Sequence, residues 1–444
     1  MSNKKDPSFL KDKTLGIISS YQDNCGNATY TKQIIDDLKN YFKIVECIEL
    51  DQRMVHSNFY DKIKSEVINQ VKKYDYINIQ CEPALFHKKV RKAIKFIEEI
   101  IDARNGENIS ITFHSLGISQ EIINLSSIQK KFFRLKLSIF KKKRKSIDIY
   151  KDMQSLILQK VKKLQQRGKN ISIIVHQKEL SEKLSFLKIS SYFHPIVSAS
   201  SADIVKFSND NNIRATILDK YQLDKNLTYI GCYGFYGAYK GIDVAIDALK
   251  FLPENYHLIL SSNCHPINNL KVRSIIINSE KRSKKSQHYN SDDSVVEQDS
   301  YMVYLMNKII NNKVFDRVHF INHIIDEKEF KQLISAIDIS VFPYYEVAQQ
   351  GSGPVSYSTH LSNSGKIILS RTNLFETYEK NFFKDCFTFF DQGNYLELSK
   401  KILKIKSKKD ELKKARAKYN PESNCLTYVN SLIGNKDTSN FVNF

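Results

Sequence analysis

The chain has 444 residues, of which 41% are hydrophobic, and carries a formal net charge of +20 at pH 7. This length exceeds one ordinary core and predicts two domains. Seven cysteines are scattered without CxxC spacing, which argues against a disulfide framework or a cysteine zinc site. No run approaches the roughly 18 apolar residues of a membrane span, and the polar tail 1–13 lacks a signal-peptide pattern, so we expect a cytoplasmic protein.

Apolar runs of strand length alternate with amphipathic runs of helix length along the chain. In the first half the strand-like runs are "TLGIISS", "KIVECIEL", "YINIQCE", "ISITFHS", "ISIIVHQ" and "SYFHPIV". The pattern restarts with "LTYIGCYG", "YHLILSS", "RVHFIN", "ISVFPY", "KIILS" and "CFTFFD". Such alternation predicts parallel strands joined by crossover helices, and therefore two doubly wound α/β sheets in series.

A polar stretch between Ile213 and Asn226 marks the predicted domain boundary. We therefore predict a first domain at 14–220 and a second at 221–420. Residues 421–444 are predicted to hold a tail and a C-terminal helix that returns to the first domain. Two insertions interrupt the regular pattern, a basic one at 125–168 and a polar one at 278–300.

The positive charge is concentrated in residues 130–170, which hold 15 Lys and Arg against two Asp. Within 130–145, "KKFFRLKLSIFKKKRK" interleaves apolar side chains with cations, a composition typical of a segment that lies on an anionic membrane surface. A solvated lysine-rich helix is the alternative interpretation. A nucleic-acid-binding stripe is a third, but no DNA- or RNA-binding motif accompanies the charge, so we expect no nucleic-acid partner.

Ligands in open α/β sheets bind beyond the carboxyl ends of the strands, so the residues after each apolar run are the candidates. After the first run, Gly26 and Asn27 precede a helix, where glycine allows backbone amides to approach a phosphate. A plain strand-to-helix turn is the alternative. His114 ends the fourth run, where a ligand contact competes with a hydrogen-bonded structural role.

The second domain opens with "IGCYGFYGAYKGIDVAIDAL", in which Gly234 is followed by Lys240 at a helix start. An ammonium group there suits a bound diphosphate, and a surface lysine is the alternative. Further on, Glu346 follows a strand and Gly-Ser-Gly-Pro leads into another helix. Ser352 can cap that helix, Pro354 suits its first turn, and its free amides favour an anion.

Taken in order, the motifs resemble those of the retaining glycosyltransferases of the GT-B fold, most closely the large family four. The motifs are "CGNATYT", "IQCEPALF", "TFHS", "GFYGAYKGIDVAIDAL", "AIDISVFPYYE" and "GSGPVSYSTHLSNSGKIILS". The resemblance covers nearly the whole chain. It implies two Rossmann-like domains facing each other across a cleft, with the acceptor on the first and a nucleotide-diphosphate sugar on the second.

Carried over residue by residue, the resemblance implies that Lys240 stabilises the leaving diphosphate and that His114 lies near the transferred sugar. It implies base contacts at His323 and Ile324. The donor contacts that the sequence and the resemblance together imply are Gly26, Asn27, Gly234, Glu346, Ser352, Gly353, Pro354, Val355, Ser356 and His360.

Three positions depart from the family pattern. Phe235 stands where the family often has an arginine, and Ser352 and His360 stand where it often has two glutamates. We interpret these changes as divergence that preserves activity. The alternatives are a non-catalytic partner subunit and a nucleotide-sugar epimerase of the same fold.

The chemistry implied by the resemblance is front-face displacement with retention, in which Lys240 and helix amides stabilise the charge on the leaving group. No Asp-x-Asp follows a strand, so we expect no metal and no cofactor other than the nucleotide-diphosphate sugar as co-substrate. The expected acceptor is a saccharide or a lipid-linked one, in cell-surface polysaccharide, lipopolysaccharide or glycolipid assembly. The basic residues 130–145 would then hold the protein on the inner face of the membrane.

Overall fold

The structure, a computed structural model, describes residues 7–22, 26–123, 146–208, 212–263, 294–321, 326–346 and 350–434. The chain forms two compact units. The first unit comprises Met1–Pro195 together with Pro421–Phe444, and the second unit comprises Ile196–Asn420.

The first unit is built on a parallel sheet with the strand order β2-β1-β3-β4-β5-β6. Its strands are β1 Thr14–Ser19, β2 Ile44–Glu49, β3 Tyr76–Cys81, β4 Ile109–Phe113, β5 Ile171–Val175 and β6 Ser191–Phe193. Every residue of β3, β4 and β5 is buried, as expected for strands covered on both faces. The strand order reverses between β1 and β3, which makes the loops after these strands a place where a ligand can enter.

Helices cover both faces of this sheet. They are α1 Gly26–Leu38, α2 Gln52–Val55, α3 Tyr60–Gln70, α4 Pro83–Phe86, α5 Val90–Ala103, α6 Gln120–Ile123, α7 Ser146–Gln166, α8 Lys178–Phe186 and α18 Pro421–Ile433. Apolar residues at helical spacing explain the packing of α5, whose Ile94, Ile97 and Ile101 are fully buried in the core of the first unit.

Helix α7 occupies the second half of the predicted basic insertion, and it is a core helix. Leu156, Ile157 and Val161 are fully buried, while Lys160 reaches Asp102 with its ammonium 2.6 Å from the carboxylate. The prediction considered the charges and overlooked the helical spacing of the apolar residues. With that spacing, α7 forms the crossover helix between β4 and β5. Residues 124–145, including the membrane-binding stretch predicted at 130–145, lie outside the described residues.

The C-terminal helix α18 belongs to the first unit. The Ser172 hydroxyl donates to the carbonyl oxygen of Ser431 at 2.9 Å, and the Asn170 amide donates to that of Leu432 at 2.6 Å. Side chains of β5 and its preceding turn thus bind the backbone of the last helical turn, where carbonyl oxygens lack intrahelical partners.

The second unit begins earlier than the sequence analysis placed its second domain, at Ile196 and not at residue 221. The reason is a set of polar contacts made by the segment that follows β6. The Ser356 hydroxyl donates to the carbonyl oxygen of Ile196 at 2.7 Å and accepts from the amide of Ser198 at 2.9 Å. Asp203 forms an ion pair with Lys331 at 2.7 Å. These bonds assign the segment to the second unit.

The second sheet is also parallel and has the strand order β12-β11-β10-β7-β8-β9. Its strands are β7 Thr228–Phe235, β8 Tyr256–Asn263, β9 Val318–Phe320, β10 Ile339–Phe342, β11 Ile367–Ser370 and β12 Thr388–Phe390. Renumbered from β7, this is the order of a dinucleotide-binding Rossmann sheet, with its reversal between β7 and β10.

The helices of the second unit are α9 Ser201–Ser208, α10 Ile213–Lys220, α11 Ile242–Leu249, α12 Ser294–Asn311, α13 Glu327–Ala336, α14 Gly353–Leu361, α15 Asn373–Asn381, α16 Tyr395–Lys404 and α17 Lys409–Lys418. Helix α12 takes up the last residues of the predicted polar insertion, and residues 264–293 lie outside the described part. In the part of the chain that the structure describes, no helix is both long and apolar enough to span a membrane.

The two-sheet architecture confirms the predicted α/β fold class with two Rossmann-like domains. All twelve strand-like runs of the sequence coincide with strands. The central strands were readable because parallel strands buried on both faces are continuous apolar runs.

Candidate functional site

The loops after β7 and β10 meet where the second sheet reverses its strand order, and they are joined by backbone contacts. The amide of Tyr345 donates to the carbonyl oxygen of Tyr239 at 2.8 Å. Gly241 lies against the other loop in the left-handed region at φ +61°, and a Cβ there would be 1.9 Å from the carbonyl oxygen of Pro343. Only glycine permits this approach, so the Lys240-Gly241 pair of the sequence motif has a steric basis.

Lys240 is the central charged group of this region. Its side chain is 6% exposed, and Nζ donates to the Tyr344 hydroxyl at 2.5 Å. Nζ also lies 4.0 Å from the ring centroid of Tyr344 and 5.0 Å from that of Tyr239. Within the described ranges no carboxylate pairs with this ammonium group. Burial lowers the pKa of Lys240 to about 7, so the group has charge to gain from an anion.

Gly234, the next-to-last residue of β7, lies directly beside this ammonium group. Its φ is +113°, and a Cβ built on it would be 3.4 Å from Lys240 Nζ and 3.6 Å from Pro354. The glycine therefore leaves open the space between the ammonium group and the start of α14. Phe235, where the resemblance leads one to look for an arginine, is half-buried at the end of the strand.

The N-terminus of α14 faces the same space. Pro354 lies in its first turn, and the Ser352 side chain makes no capping bond. The Ser352 hydroxyl instead lies 3.1 Å from the Tyr344 hydroxyl, so Ser352 occupies the predicted N-cap position without a side-chain cap. Among the described residues the amides of Gly353 and Val355 have no acceptor. Two backbone donors and the positive end of the helix dipole thus remain available to an anion.

A recess of about 220 Å³, including solvent-open space, lies beside this helix start. It is lined largely by apolar side chains, with Ile196, Val355, Phe375 and Tyr378 among them, and by Ser352. Its enclosed part has room for about one water molecule, which is too little for a sugar.

Two predicted donor-binding residues on α14 use their side chains inside the protein. Ser356 holds the segment at Ile196, as described above. His360 is fully buried, with Nδ1 2.8 Å from the carbonyl oxygen of Ser356 and Nε2 2.9 Å from that of Tyr419. Burial lowers the pKa of His360 to about 4. Residues 355–361 of this helix are all buried, so its polar side chains need internal partners.

Glu346 also has an internal partner. Its carboxylate accepts from the amide of Asn373 at 2.9 Å, at the start of α15, and its own amide donates to Gln392 at 3.0 Å. A carboxylate at a helix N-terminus is stabilised by the helix dipole. The observed position of Glu346 is therefore that of a helix-terminal anion on the exposed side of the loop.

In the first unit, His114 directly follows β4 and is half-buried. Its Nε2 lies 2.7 Å from Gln80 Oε1, and the rings of Tyr30 and His176 lie 5.6 and 5.3 Å away between centroids. Burial, with a contribution from His176, lowers the pKa of His114 to about 3. At neutral pH the ring is therefore uncharged.

Of the remaining predicted site residues, the structure describes two and leaves two outside the described ranges. Helix α1 begins at Gly26, so Gly26 and Asn27 lie in its first turn rather than before it. Among the residues that the structure describes, no atom lies within 4 Å of a Cβ built on Gly26. His323 and Ile324 lie outside the described residues. Across the described ranges no cluster of three or more metal-ligating side chains occurs.

Sequence reasoning missed the side chains that hold the two candidate groups in place. Tyr344 and Tyr239 flank Lys240, and their only sequence signal is that both follow strands of the second sheet. Gln80 and Tyr428 of the first unit bond each other at 3.2 Å although 348 positions separate them in the chain. No local pattern predicts such a pair.

No protein-family model and no curated protein matches this sequence. Solved structures do match it over nearly its whole length. HepE of Anabaena, in complex with UDP and glucose, is 11% identical with a TM-score of 0.53, and the match covers 97% of this chain and 100% of that one. Sucrose-phosphate synthase of Thermosynechococcus elongatus is 13% identical with a TM-score of 0.60 and coverages of 94% and 97%.

Trehalose-6-phosphate synthase OtsA is 10% identical with a TM-score of 0.58, and the match covers 95% of this chain and 99% of that one. At such identities the likeness concerns the fold. Together with the two parallel sheets, it assigns the chain to the GT-B fold of glycosyltransferases.

Proposed function

We propose that this protein is a glycosyltransferase that binds a nucleotide-diphosphate sugar in its second unit and transfers the sugar to an acceptor. The observation that carries the proposal is Lys240. A buried ammonium group with no carboxylate partner in the described part of the chain lies beside the start of α14, whose first amides have no acceptor there either. Placing a lone cation in a protein interior is costly, and a bound anion offsets that cost.

The fold supports the same assignment. HepE has been solved with UDP-glucose and with UDP, and the two synthases named above match this fold over nearly the whole chain. By analogy the diphosphate of the donor would contact Lys240 and the amides of Gly353 and Val355. The glycine at 234 would leave room for it.

The proposed chemistry is transfer of a hexosyl group with retention and without a metal, as in the family-four enzymes that the sequence resembles. As the bond to the leaving diphosphate breaks, negative charge grows on its oxygens, and Lys240 with the helix amides stabilises it. His114 would contact the transferred sugar as an uncharged ring. Polysaccharide, lipopolysaccharide or glycolipid assembly at the inner face of a membrane remains our proposal for the pathway.

A non-catalytic partner subunit is the second candidate, and one observation favours it. Ser356, His360 and Glu346 all have internal hydrogen-bond partners, so three positions proposed for donor binding offer few free side-chain groups. Under this alternative the protein would bind a nucleotide sugar weakly or not at all.

A thermal-shift and calorimetric panel of UDP-, GDP- and ADP-sugars tests the proposal. The panel compares the wild type with Lys240→Ala and with Lys250→Ala, an exposed lysine at the end of α11. We expect one nucleotide class to bind the wild type and Lys250→Ala but not Lys240→Ala. Slow hydrolysis of that donor to free sugar would identify an active enzyme, and α-configured product with an added acceptor would support retention. Absence of binding by folded wild-type protein would overturn the proposal.

A further inference from the structure

A buried polar network lies between the sheet of the first unit and the C-terminal helix α18. Its members Asn78 and Gln80 from β3, Thr112 from β4 and Tyr428 from α18 have no exposed surface. Polar side chains buried this deeply must satisfy one another, so the network has a defined pattern of donors and acceptors.

The first amide is oriented with its NH₂ group toward β4. Asn78 Nδ2 lies 3.5 Å from the carbonyl oxygen of Ser110, which can only accept, and 2.7 Å from the Ser110 hydroxyl. It also donates to the Thr112 hydroxyl at 3.1 Å. The NH₂ group of Asn78 therefore faces β4, and its Oδ1 faces Gln80.

The orientation of Gln80 follows from that of Asn78. Gln80 Nε2 donates to Asn78 Oδ1 at 2.6 Å and to the Tyr428 hydroxyl at 3.2 Å. With its NH₂ group occupied there, Gln80 presents Oε1 to His114 Nε2 at 2.7 Å. An amide oxygen can only accept, so the proton of the neutral imidazole must be on Nε2.

The other ring nitrogen of His114 is left as an acceptor. No hydrogen bond to Nδ1 occurs among the described residues, and the side chain is partly exposed. The titratable groups that face the ring are His176 and Tyr30. Burial keeps the pKa of His114 near 3, far below neutrality.

We infer that Gln80 is a positioning residue that holds His114 as the Nε2–H tautomer, so that Nδ1 is presented as an acceptor for a sugar hydroxyl. Tyr428 on α18 secures Gln80, which links the last helix of the chain to this contact. The inference rests on the proposed function for the sugar contact alone. The opposite tautomer would bring two lone pairs together across the 2.7 Å between Nε2 and Oε1.

Histidine-selective ¹⁵N labelling tests the tautomer without any substrate. The signal of His114 is assigned by its loss in His114→Gln. In the wild type we expect the Nε2–H pattern, unchanged from pH 8 to pH 5. In Gln80→Leu we expect a mixture of tautomers that begins to titrate in this range, because the fixed acceptor is gone.

Gln159→Leu is the matched control, since Gln159 of α7 is 1% exposed and lies in the same unit. It should leave the His114 signal unchanged. An Nδ1–H pattern in the wild type, or an unchanged signal in Gln80→Leu, would overturn the inference.

If Gln80→Leu does not fold, Tyr428→Phe replaces it, because it removes only the hydroxyl that accepts from Gln80. A smaller shift in the same direction is then expected, and an unchanged signal would again overturn it.

Activity measurements distinguish a failure of this inference from a failure of the proposed function. Gln80→Leu should lower kcat/KM about tenfold in the wild-type background, the value of one hydrogen bond, and less than about twofold in a His114→Ala background. An equal loss in both backgrounds would indicate a merely structural role for Gln80. A protein without transferase activity would contradict the proposed function, while the tautomer measurement would still decide the positioning role.

Discussion

Burial lowers the pKa of one side chain in each unit, with different consequences. In the second unit this side chain lies at the carboxyl ends of β7 and β10, and in the first unit at those of β3 and β4. Burial lowers the pKa of Lys240 to about 7 and that of His114 to about 3. The lysine therefore titrates near neutral pH, while the histidine titrates far below it. The region around Lys240 is poised to gain charge when an anion binds, and the region around His114 presents a fixed, uncharged ring.

The largest expected effect is the loss of the cation. In Lys240→Ala, transfer should fall by about 10²–10³-fold, because a charge-stabilising donor inside a buried site is removed. Lys240→Arg should not restore it, since the planar guanidinium needs more space than Gly234 and the two tyrosine rings leave. Initial rates at saturating donor, with the exposed-lysine variant Lys250→Ala as control, measure the effect. Activity of Lys240→Ala within twofold of the wild type would remove Lys240 from the reaction.

The pH dependence of donor binding sharpens the comparison. Above pH 7 the free protein must take up a proton on Lys240 to form the ammonium–diphosphate contact, so affinity should fall by up to about tenfold per pH unit. Below pH 7 it should level off, because Lys240 is already protonated. Calorimetry from pH 6 to pH 9 in two buffers of different ionisation enthalpy counts the proton.

The same titration separates the two regions. Lys240→Met should abolish the pH dependence, whereas His114→Gln should leave it intact, because an uncharged ring with a pKa near 3 does not titrate there. A pH profile that persists in Lys240→Met would assign it to another group.

The comparison also explains which parts of the molecule could be predicted. Strand positions followed from continuous apolar runs, and Lys240 and the Gly-Ser-Gly-Pro turn were found because they lie in segments that follow strands. The inward direction of Ser356 and His360 depended on the rotation of α14, which is buried over nearly its whole length. Its sequence therefore carries no amphipathic signal to fix that rotation. Gln80 and Tyr428 could not be paired, because only the completed fold brings α18 back to β3.

A third prediction concerns stability, where the buried lysine should be a cost. The pKa of Lys240 is lowered from 10.5 to about 7 in the folded protein. Between these values the unfolded chain binds more protons, so the free energy of unfolding should rise with pH relative to Lys240→Met. The difference should have a slope of up to about 1.4 kcal/mol per pH unit.

Urea unfolding of both proteins at pH 6, 7, 8 and 9 measures that slope, since other titrating groups cancel in the difference. Below about pH 7 both states of the wild type are protonated, so the difference should be constant there. Parallel curves over the whole range would mean that Lys240 keeps its charge in the folded protein, and the contrast with His114 would then rest on geometry alone.

The smallest expected effect concerns the hydroxyl that joins Lys240 to the start of α14. The Tyr344 hydroxyl accepts from Lys240 Nζ at 2.5 Å and lies 3.1 Å from the Ser352 hydroxyl. Tyr344→Phe removes both hydrogen bonds, and Ser352→Ala removes the second. Each variant should weaken donor binding by about 0.5–1.5 kcal/mol.

A double-mutant cycle decides whether these bonds act together. Ser352 could act on the ammonium group by orienting the Tyr344 hydroxyl. The double variant should then lose less donor affinity than the sum of the single losses, with a coupling of about 0.5 kcal/mol or more. Additive losses would mean that Ser352 contributes independently, as a hydroxyl beside the helix start. Ser352→Ala should cost little stability in either case, because its side chain does not cap α14. A loss near the roughly 1 kcal/mol typical of a removed helix cap would contradict the arrangement described here.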